Sequence, residues 1–514
     1  MKHGLSRRDF LKLAGLAPLG LIAPPLIKKL GVTQLFQGDK KNVLVVVFDA
    51  FSAKNISMYG YERETTPNLA KLAKRATVYH NHFAAGSFTT PGTASLLTMT
   101  LPWTHRALRF GSGVRESLAD KSIFHAFDDY YRIGYTHNPL ANTLLRQFQR
   151  DIDEYIPREK LFINNDGLIR KLFAHDEDIA TVSWSRDMKW SEGAYSYSLF
   201  LSHLYDRYQK SKIAGYKDRF PNGLPSTNGD NYYTLEEGVD WLEDRITQLP
   251  QPFFAYFHFH PPHFPYKPRR EFNGIFVNDS WKPFDKPQDF FTEGNSYETL
   301  AKSRSHYDEF ILNVDSEFAR LFETLESSGL LENTWVVLTS DHGEMQERGI
   351  SGHVTPTFYQ PIVRIPLMIF EPGQQTSREI HTPTSAIDVM LTLLHVTGHS
   401  LPAWAEGSLL PPYAPQIQQP EKEVYAVQAR NNEPTHPLSE VSIMHVQGNY
   451  KLVYYLGYDQ LGIEGERSQL FDIKADPEEL NDISLTQKGV SSELLARVKS
   501  KLKEVNEPYS IDGL

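Results

Sequence analysis

The sequence predicts an α/β fold: a mostly parallel sheet flanked by helices, with a smaller C-terminal antiparallel sheet and a terminal helix. Three observations carry this expectation. The runs Val43–Phe48, Phe253–Phe259 and Trp335–Thr339 are continuously apolar and rich in β-branched or aromatic residues, as strands buried on both faces require. Segments of helical periodicity alternate with them, which is the pattern of an α/β domain. Each run then ends in polar side chains, at Asp49, at His260 to His263, and at Asp341-His342, and open α/β sheets gather their ligands at the carboxyl ends of strands.

The elements follow in order. In residues 1–38, Ser6-Arg7-Arg8-Asp9-Phe10-Leu11-Lys12 precedes an apolar run, Leu13 to Leu26, broken by Gly15, Pro18, Gly20, Pro24 and Pro25. This resembles a bacterial twin-arginine signal, and the run is too short and interrupted for a membrane span. No clear Ala-x-Ala site follows it. The resemblance implies export by the twin-arginine machinery to the periplasm or cell surface, with an uncleaved segment as the route to membrane attachment. After a polar hinge at Gln37 to Lys41 comes the first strand. A helix over Leu235 to Ile246 feeds the Phe253 strand. Tyr266 to Tyr297, rich in Pro, Asn, Asp and aromatic residues, reads as a long loop, either a functional lid or a surface insertion. Phe310, Ile311, Val314, Phe318, Leu321, Phe322 and Leu325 mark an amphipathic helix that ends at Gly329. Beyond Pro402 the texture changes: alternating segments near Val424–Val427, Val441–Val446 and Tyr450–Tyr455 precede a polar helix. The expected organisation is a signal or anchor over 1–38, a catalytic domain over 39–410 and a smaller α+β part over 411–514.

Composition narrows the function. With 53 basic and 63 acidic residues the net charge is −10, and no long basic run follows the N-terminal segment, so a nucleic-acid surface is not expected. The absence of cysteine removes thiol nucleophiles, disulfides and thiolate metal sites at once. Any metal must therefore sit on oxygen and nitrogen.

An aspartate at the end of a buried strand is costly unless its charge is paired or bound to a cation. Asp49, Asp341 and His342 make two carboxylates and an imidazole, a set suited to Mn2+, Zn2+, Mg2+ or Ca2+. Taken singly, Asp49 also reads as a helix cap and His342 as a core histidine. Phe88 to Leu97 reads as a loop entering a helix, with Thr90 as N-cap, Pro91 at the first helical position and Thr89 just ahead of it. A hydroxyl there faces unpaired N–H groups that favour an anionic oxygen, and coordination to a divalent cation can make it a nucleophile. Thr89 and Thr90 as mere capping hydroxyls is the plainer alternative.

These segments, in order, resemble the sulfatase family of the alkaline phosphatase superfamily. They comprise Asp49, Tyr59-Gly60-Tyr61 with Thr66 to Leu69, Thr89 to Thr98, Phe254 to Tyr266 ending in Pro262-His263-Phe264-Pro265-Tyr266, Ser340 to Glu344, Arg364 to Leu367, Gly407 to Pro411, and Leu470 to Asp472 leading to Asp476-Pro477. The resemblance covers about residues 42 to 483 and implies an alkaline-phosphatase-like fold. The departures are specific. Thr89 stands at the position that the family converts to formylglycine and Thr93 at its arginine, so no formylglycine is expected. Tyr131 to Asn138 lacks the family's Gly-Lys-Trp-His segment, Thr355 replaces a second lysine, and Ala50 replaces the second aspartate. What remains resembles the single-metal threonine branch, the lipoteichoic acid synthases and phosphoethanolamine transferases. That resemblance implies one divalent metal held by Asp49, Thr89, Asp341 and His342, with Thr89 attacking a phosphate ester or diester. It also implies substrate contacts from His263, His353 and His260, with His353 as a second phosphate contact or proton donor. A sulfuric-ester hydrolase without formylglycine and a non-catalytic envelope binding protein are the alternatives.

Overall fold

The computed structural model describes residues 40–164, 197–227, 231–414 and 422–510. The expected signal segment lies outside the described residues. Residues Asp39–Leu514 form one compact unit.

At its centre is an eight-stranded sheet built from β1 (Asn42–Asp49), β2 (Thr77–Tyr79), β3 (Tyr131–Thr136), β4 (Glu154–Tyr155), β5 (Phe253–Pro262), β6 (Thr334–Thr339), β7 (Leu367–Phe370) and β8 (Arg378–Ile380). Their spatial order is β8-β2-β7-β6-β1-β5-β3-β4, and β7 alone runs against the rest. The continuous apolar runs are explained by burial on both faces. Leu44, Val46 and Phe48 of β1 point into one core with α3 (Leu235–Ile246) and α4 (Tyr297–Ser327). Val43, Val45 and Val47 point into the other, with α1 (Thr89–Thr98), α2 (Pro139–Gln147) and α5 (Ile387–Val396). With apolar side chains filling both faces, β1 has only its tip left for chemistry.

The sequence reading left the start of the amphipathic helix open; it begins at Tyr297, capped by the Ser296 side chain. Its first turns carry little apolar periodicity because they lie near the surface and are held by polar contacts. The strand read as Phe253–Phe259 continues to Pro262, with a register irregularity opposite Phe48 and Asp49. The connection between Tyr266 and Tyr297 has neither helix nor strand, as expected, yet it is firmly tied: Arg63 bonds both Asp279 and the Phe276 carbonyl, and Glu309 accepts from the N–H groups of Phe276 and Val277.

The C-terminal part is an antiparallel meander of β9 (Glu423–Gln428), β10 (Val441–Gln447), β11 (Tyr450–Leu456) and β12 (Glu466–Asp472). One face packs on Leu494, Val498 and Leu502 of α6 (Lys488–Asn506), the other on Met345, Phe358 and Phe291. No helix among the described residues is long and apolar enough to cross a membrane.

Candidate active site and metal centre

Four adjacent strands deliver the site. Asp49 ends β1, Asp341 and His342 follow β6, His258 and His260 lie on β5, and Asn138 follows β3. The bend after β6 is fixed by Ser340, whose hydroxyl bonds the carbonyls of Phe48 and His342 at 2.6 Å each. After β1 the chain turns at Ala50, which adopts a left-handed φ of 58°. That turn is stabilised by the Ala50 N–H donating to Asp341 Oδ1 at 3.3 Å and by the Tyr307 hydroxyl on the Ala50 carbonyl at 2.5 Å.

Each carboxylate has one anchored and one unpartnered oxygen. Asp49 Oδ2 accepts from Asn138, while Asp49 Oδ1 has no hydrogen bond. Asp341 Oδ1 accepts from the N–H groups of Ala50 and His342, while Asp341 Oδ2 has none. Both unpartnered oxygens lie 3.4 Å from His342 Nε2. The His342 ring is oriented by Nδ1–H donating to the Gly343 carbonyl at 2.9 Å, so Nε2 turns its lone pair to the carboxylates. Three buried donor atoms thus converge within 4.8 Å of one another, and the two carboxylate oxygens among them have no hydrogen-bond partner. Buried acceptors without partners are rare and costly, and this hard donor set fits a divalent cation.

Thr89 joins the same point. Its Oγ1 lies 3.3 Å from His342 Nε2 and accepts from Asn138 Nδ2 at 3.2 Å. The expected cap is corrected here: α1 begins at Thr89, with Phe88 at the N-cap and no side-chain cap bond. Thr90 is not the cap because its hydroxyl is taken by the Gly111 N–H, at 3.1 Å, which draws it away from the helix N-terminus. Thr89 therefore sits in the first turn itself.

The charges divide unevenly. Burial alone would raise the Asp49 carboxyl, but the contact with His258 and the charges of His263, His258 and His342 hold it well below the ordinary range. Asp341 is pushed up by burial and by the charge of Asp49. Burial pushes His342 down. Burial also works against a charged His258, yet Asp49 and Asp341, at 3.4 and 3.7 Å, raise it above its ordinary value.

A row of imidazoles leads outward. The His353 ring lies 4.2 Å from that of His342 and 4.9 Å from that of His263, which lies 4.3 Å from His260. Glu344 holds His353 Nδ1 at 3.2 Å, and the Tyr233 hydroxyl pairs with His260 Nδ1 at 2.9 Å. Every residue named from the sequence, Asp49, Thr89, Asp341, His342, His263, His353 and His260, therefore lies in one neighbourhood, lining or underlying a cleft of about 720 Å3. Sequence reasoning missed Asn138 and His258. A histidine inside the apolar run Phe253–Phe259 and an asparagine directly before Pro139 were the available signals. Thr93 and Thr355 are buried, and neither hydroxyl has a hydrogen-bond partner.

Residues 41–399 match the Sulfatase family profile. The chain belongs to the sulfatase family. Residues 355–508 of this sulfatase-family chain also match the profile described as N-sulphoglucosamine sulphohydrolase, C-terminal. Choline-sulfatase of Rhizobium meliloti is 24% identical over 88% of this chain and 83% of its own. The multifunctional alkaline phosphatase superfamily protein PehA of Trinickia caryophylli is 22% identical over 87% of this chain and 91% of its own. Among solved structures, the phosphonate monoester hydrolase of Agrobacterium radiobacter superposes with a TM-score of 0.63 at 17% identity, covering 92% of this chain and 96% of that one.

Proposed function

We propose that this sulfatase-family hydrolase acts on phosphate esters or diesters, as a hydrolase or a transferase, with Thr89 as nucleophile. The observation that carries the reading is the approach of Thr89 Oγ1 to His342 Nε2, 3.3 Å, beside two carboxylates with unpartnered oxygens. A threonine cannot yield the aldehyde of formylglycine, Thr93 and Thr355 stand at the arginine and second lysine positions of the family's sulfate pocket, and Tyr131 to Asn138 lacks the segment that carries the first lysine. Both favour phosphorus chemistry resembling that of the threonine branch.

Asp49, Asp341, His342 and Thr89 would hold one divalent cation, which supplies positive charge that acidifies a hydroxyl and stabilises anionic oxygen. The chain's own groups do the rest. Asn138 Nδ2 donates to Thr89 Oγ1 and fixes it toward the cleft; with His342 Nε2 committed to the cation, the hydroxyl proton leaves to water. Thr89 attacks phosphorus, the bond to the departing alcohol breaks, and His353, oriented by Glu344, gives that oxygen a proton. Water then cleaves the threonine phosphoester in hydrolysis, or an acceptor alcohol does so in transfer. His263 and His260 orient the anionic group from the cleft wall.

Sulfuric-ester hydrolysis by the same residues is the second reading, favoured by the C-terminal profile match and the likeness to choline-sulfatase. Paired nitrophenyl phosphate, phosphodiester and sulfate esters separate the two. Phosphorus esters should dominate, with a phosphoryl adduct visible by intact mass and absent in Thr89→Ala. Dominant sulfate turnover would reject the first reading. Residues 1–38 are taken as the export signal, which N-terminal sequencing of the secreted protein tests.

A further inference from the structure

The lining of the cleft is unusual in charge. It carries three imidazoles, His260, His263 and His353, and two carboxylates, Glu293 and Glu344, but among the described residues no lysine or arginine. Two guanidiniums approach without joining the lining: Arg430 stacks on Phe110 at 5.3 Å, and Arg158 donates to Thr227 Oγ1 at 2.9 Å. A phosphate monoester carries close to two negative charges at neutral pH and calls for fixed cations beyond a single metal. A diester carries one.

The rim is also unusual. Phe88 and Phe110 meet edge to face with centroids 5.1 Å apart, and Phe264 and Tyr266 do the same at 5.5 Å. All four line the cleft, and the two pairs come from distant parts of the chain. Phe110 and Phe264 are 51% and 63% exposed, so two large rings stand uncovered at the mouth of a polar site. Exposed aromatic surface continuous with a reaction centre is the mark of a ligand surface, since the ring gains by burial against an apolar group. Two separate aromatic pairs match two organic arms, and a diester has two where a sulfate or phosphate monoester has one.

We infer that the cleft selects a singly charged phosphodiester with apolar or aromatic arms, Phe110 seating one arm and Phe264 the other. This rests on the phosphoester reading above and names its substrate class.

Calorimetry on the full chain supplied with Mn2+ tests it, with diphenyl phosphate, dimethyl phosphate and phenyl phosphate as probes. Diphenyl phosphate should bind roughly tenfold or more tightly than either of the others. Phe110→Ser and Phe264→Ser should each weaken it roughly fivefold while leaving dimethyl phosphate within about twofold. Both side chains are exposed, and circular dichroism will show that the variants keep the fold. Equal affinity for the diphenyl and dimethyl esters, tighter binding of phenyl phosphate, no binding of any probe, or indifference to both substitutions would each overturn the inference. Failure of the phosphoester reading has a different signature, turnover of nitrophenyl sulfate without turnover of the diester. Diester turnover without aryl preference would leave that reading standing and remove this one.

Discussion

Gly92 packs so closely on Asp341 that a Cβ at Gly92 would lie 2.4 Å from the Asp341 carbonyl oxygen. The helix that begins with the nucleophile candidate is thereby pressed against the loop that carries a metal-ligand candidate. Gly92→Ala should force the two apart and cost about 1–3 kcal/mol of stability. An ångström of displacement at Thr89 should lower kcat/KM by roughly a hundredfold. Thermal denaturation and steady-state kinetics on one ester check both effects.

Asn138 serves two ends at once. Its Oδ1 caps α2 by accepting from Leu140 and Ala141, and its Nδ2 donates to Asp49 and Thr89. Asn138→Ala should lose about 1 kcal/mol from the missing cap together with most of the activity. Asn138→Ser keeps a capping oxygen without the amide donor. It should recover the stability and leave kcat low, and a serine variant with wild-type turnover would show that the donor is idle.

Cation binding should stabilise the fold. Binding to the folded state alone adds about 2.7 kcal/mol when the free ion is at a hundred times its Kd. A rise in Tm on titrating Mn2+ into chelator-treated protein is therefore expected. The rise should vanish in Asp341→Asn, which removes a charged oxygen from the donor set.

A second buried charge group predicts acid sensitivity. Burial acts to raise the Glu347 carboxyl, but the charges of Lys286, Arg304 and Arg348 win and lower it to about 2. A depressed carboxylate stabilises the fold above its unfolded pKa, and that contribution is lost as pH falls through the folded value. From an ordinary 4.5 to about 2, the contribution is about 3 kcal/mol at neutral pH. Denaturant midpoints of Glu347→Gln and wild type should differ at pH 7 and converge as pH drops from about 5 toward 2.

The sheet and the acids at the end of β1 and after β6 were legible because burial on both faces leaves an uninterrupted apolar run, and an aspartate closing such a run is costly unless its charge is paired or bound. The helix expected over Leu235 to Ile246 has those bounds in the structure, where the Thr234 side chain caps it. Less legible were features made by the tertiary fold. Thr90 looks like a cap locally, and only the distant Gly111 N–H, which bonds its hydroxyl, takes it out of that role. His258 sits among aromatic residues with the same alternation as its neighbours, so its partners Asp49 and Asp341 are visible only once β1, β5 and β6 lie side by side. Asn138 was missed because its contact with Asp49 depends on a strand 89 residues earlier in the chain.

Of the two unpartnered oxygens, Asp49 Oδ1 is borne by the end of β1 and Asp341 Oδ2 by the tight bend just beyond the neighbouring β6. Asp49 cannot step back without dragging a strand that is packed above and below, and Asp341 is held in place by the N–H groups of Ala50 and His342. Mutual repulsion there is met by stiffness, and a shared ion would relieve it in the middle of the molecule. Loading should thus register as slower amide exchange along β1 and β6, well away from the cleft mouth.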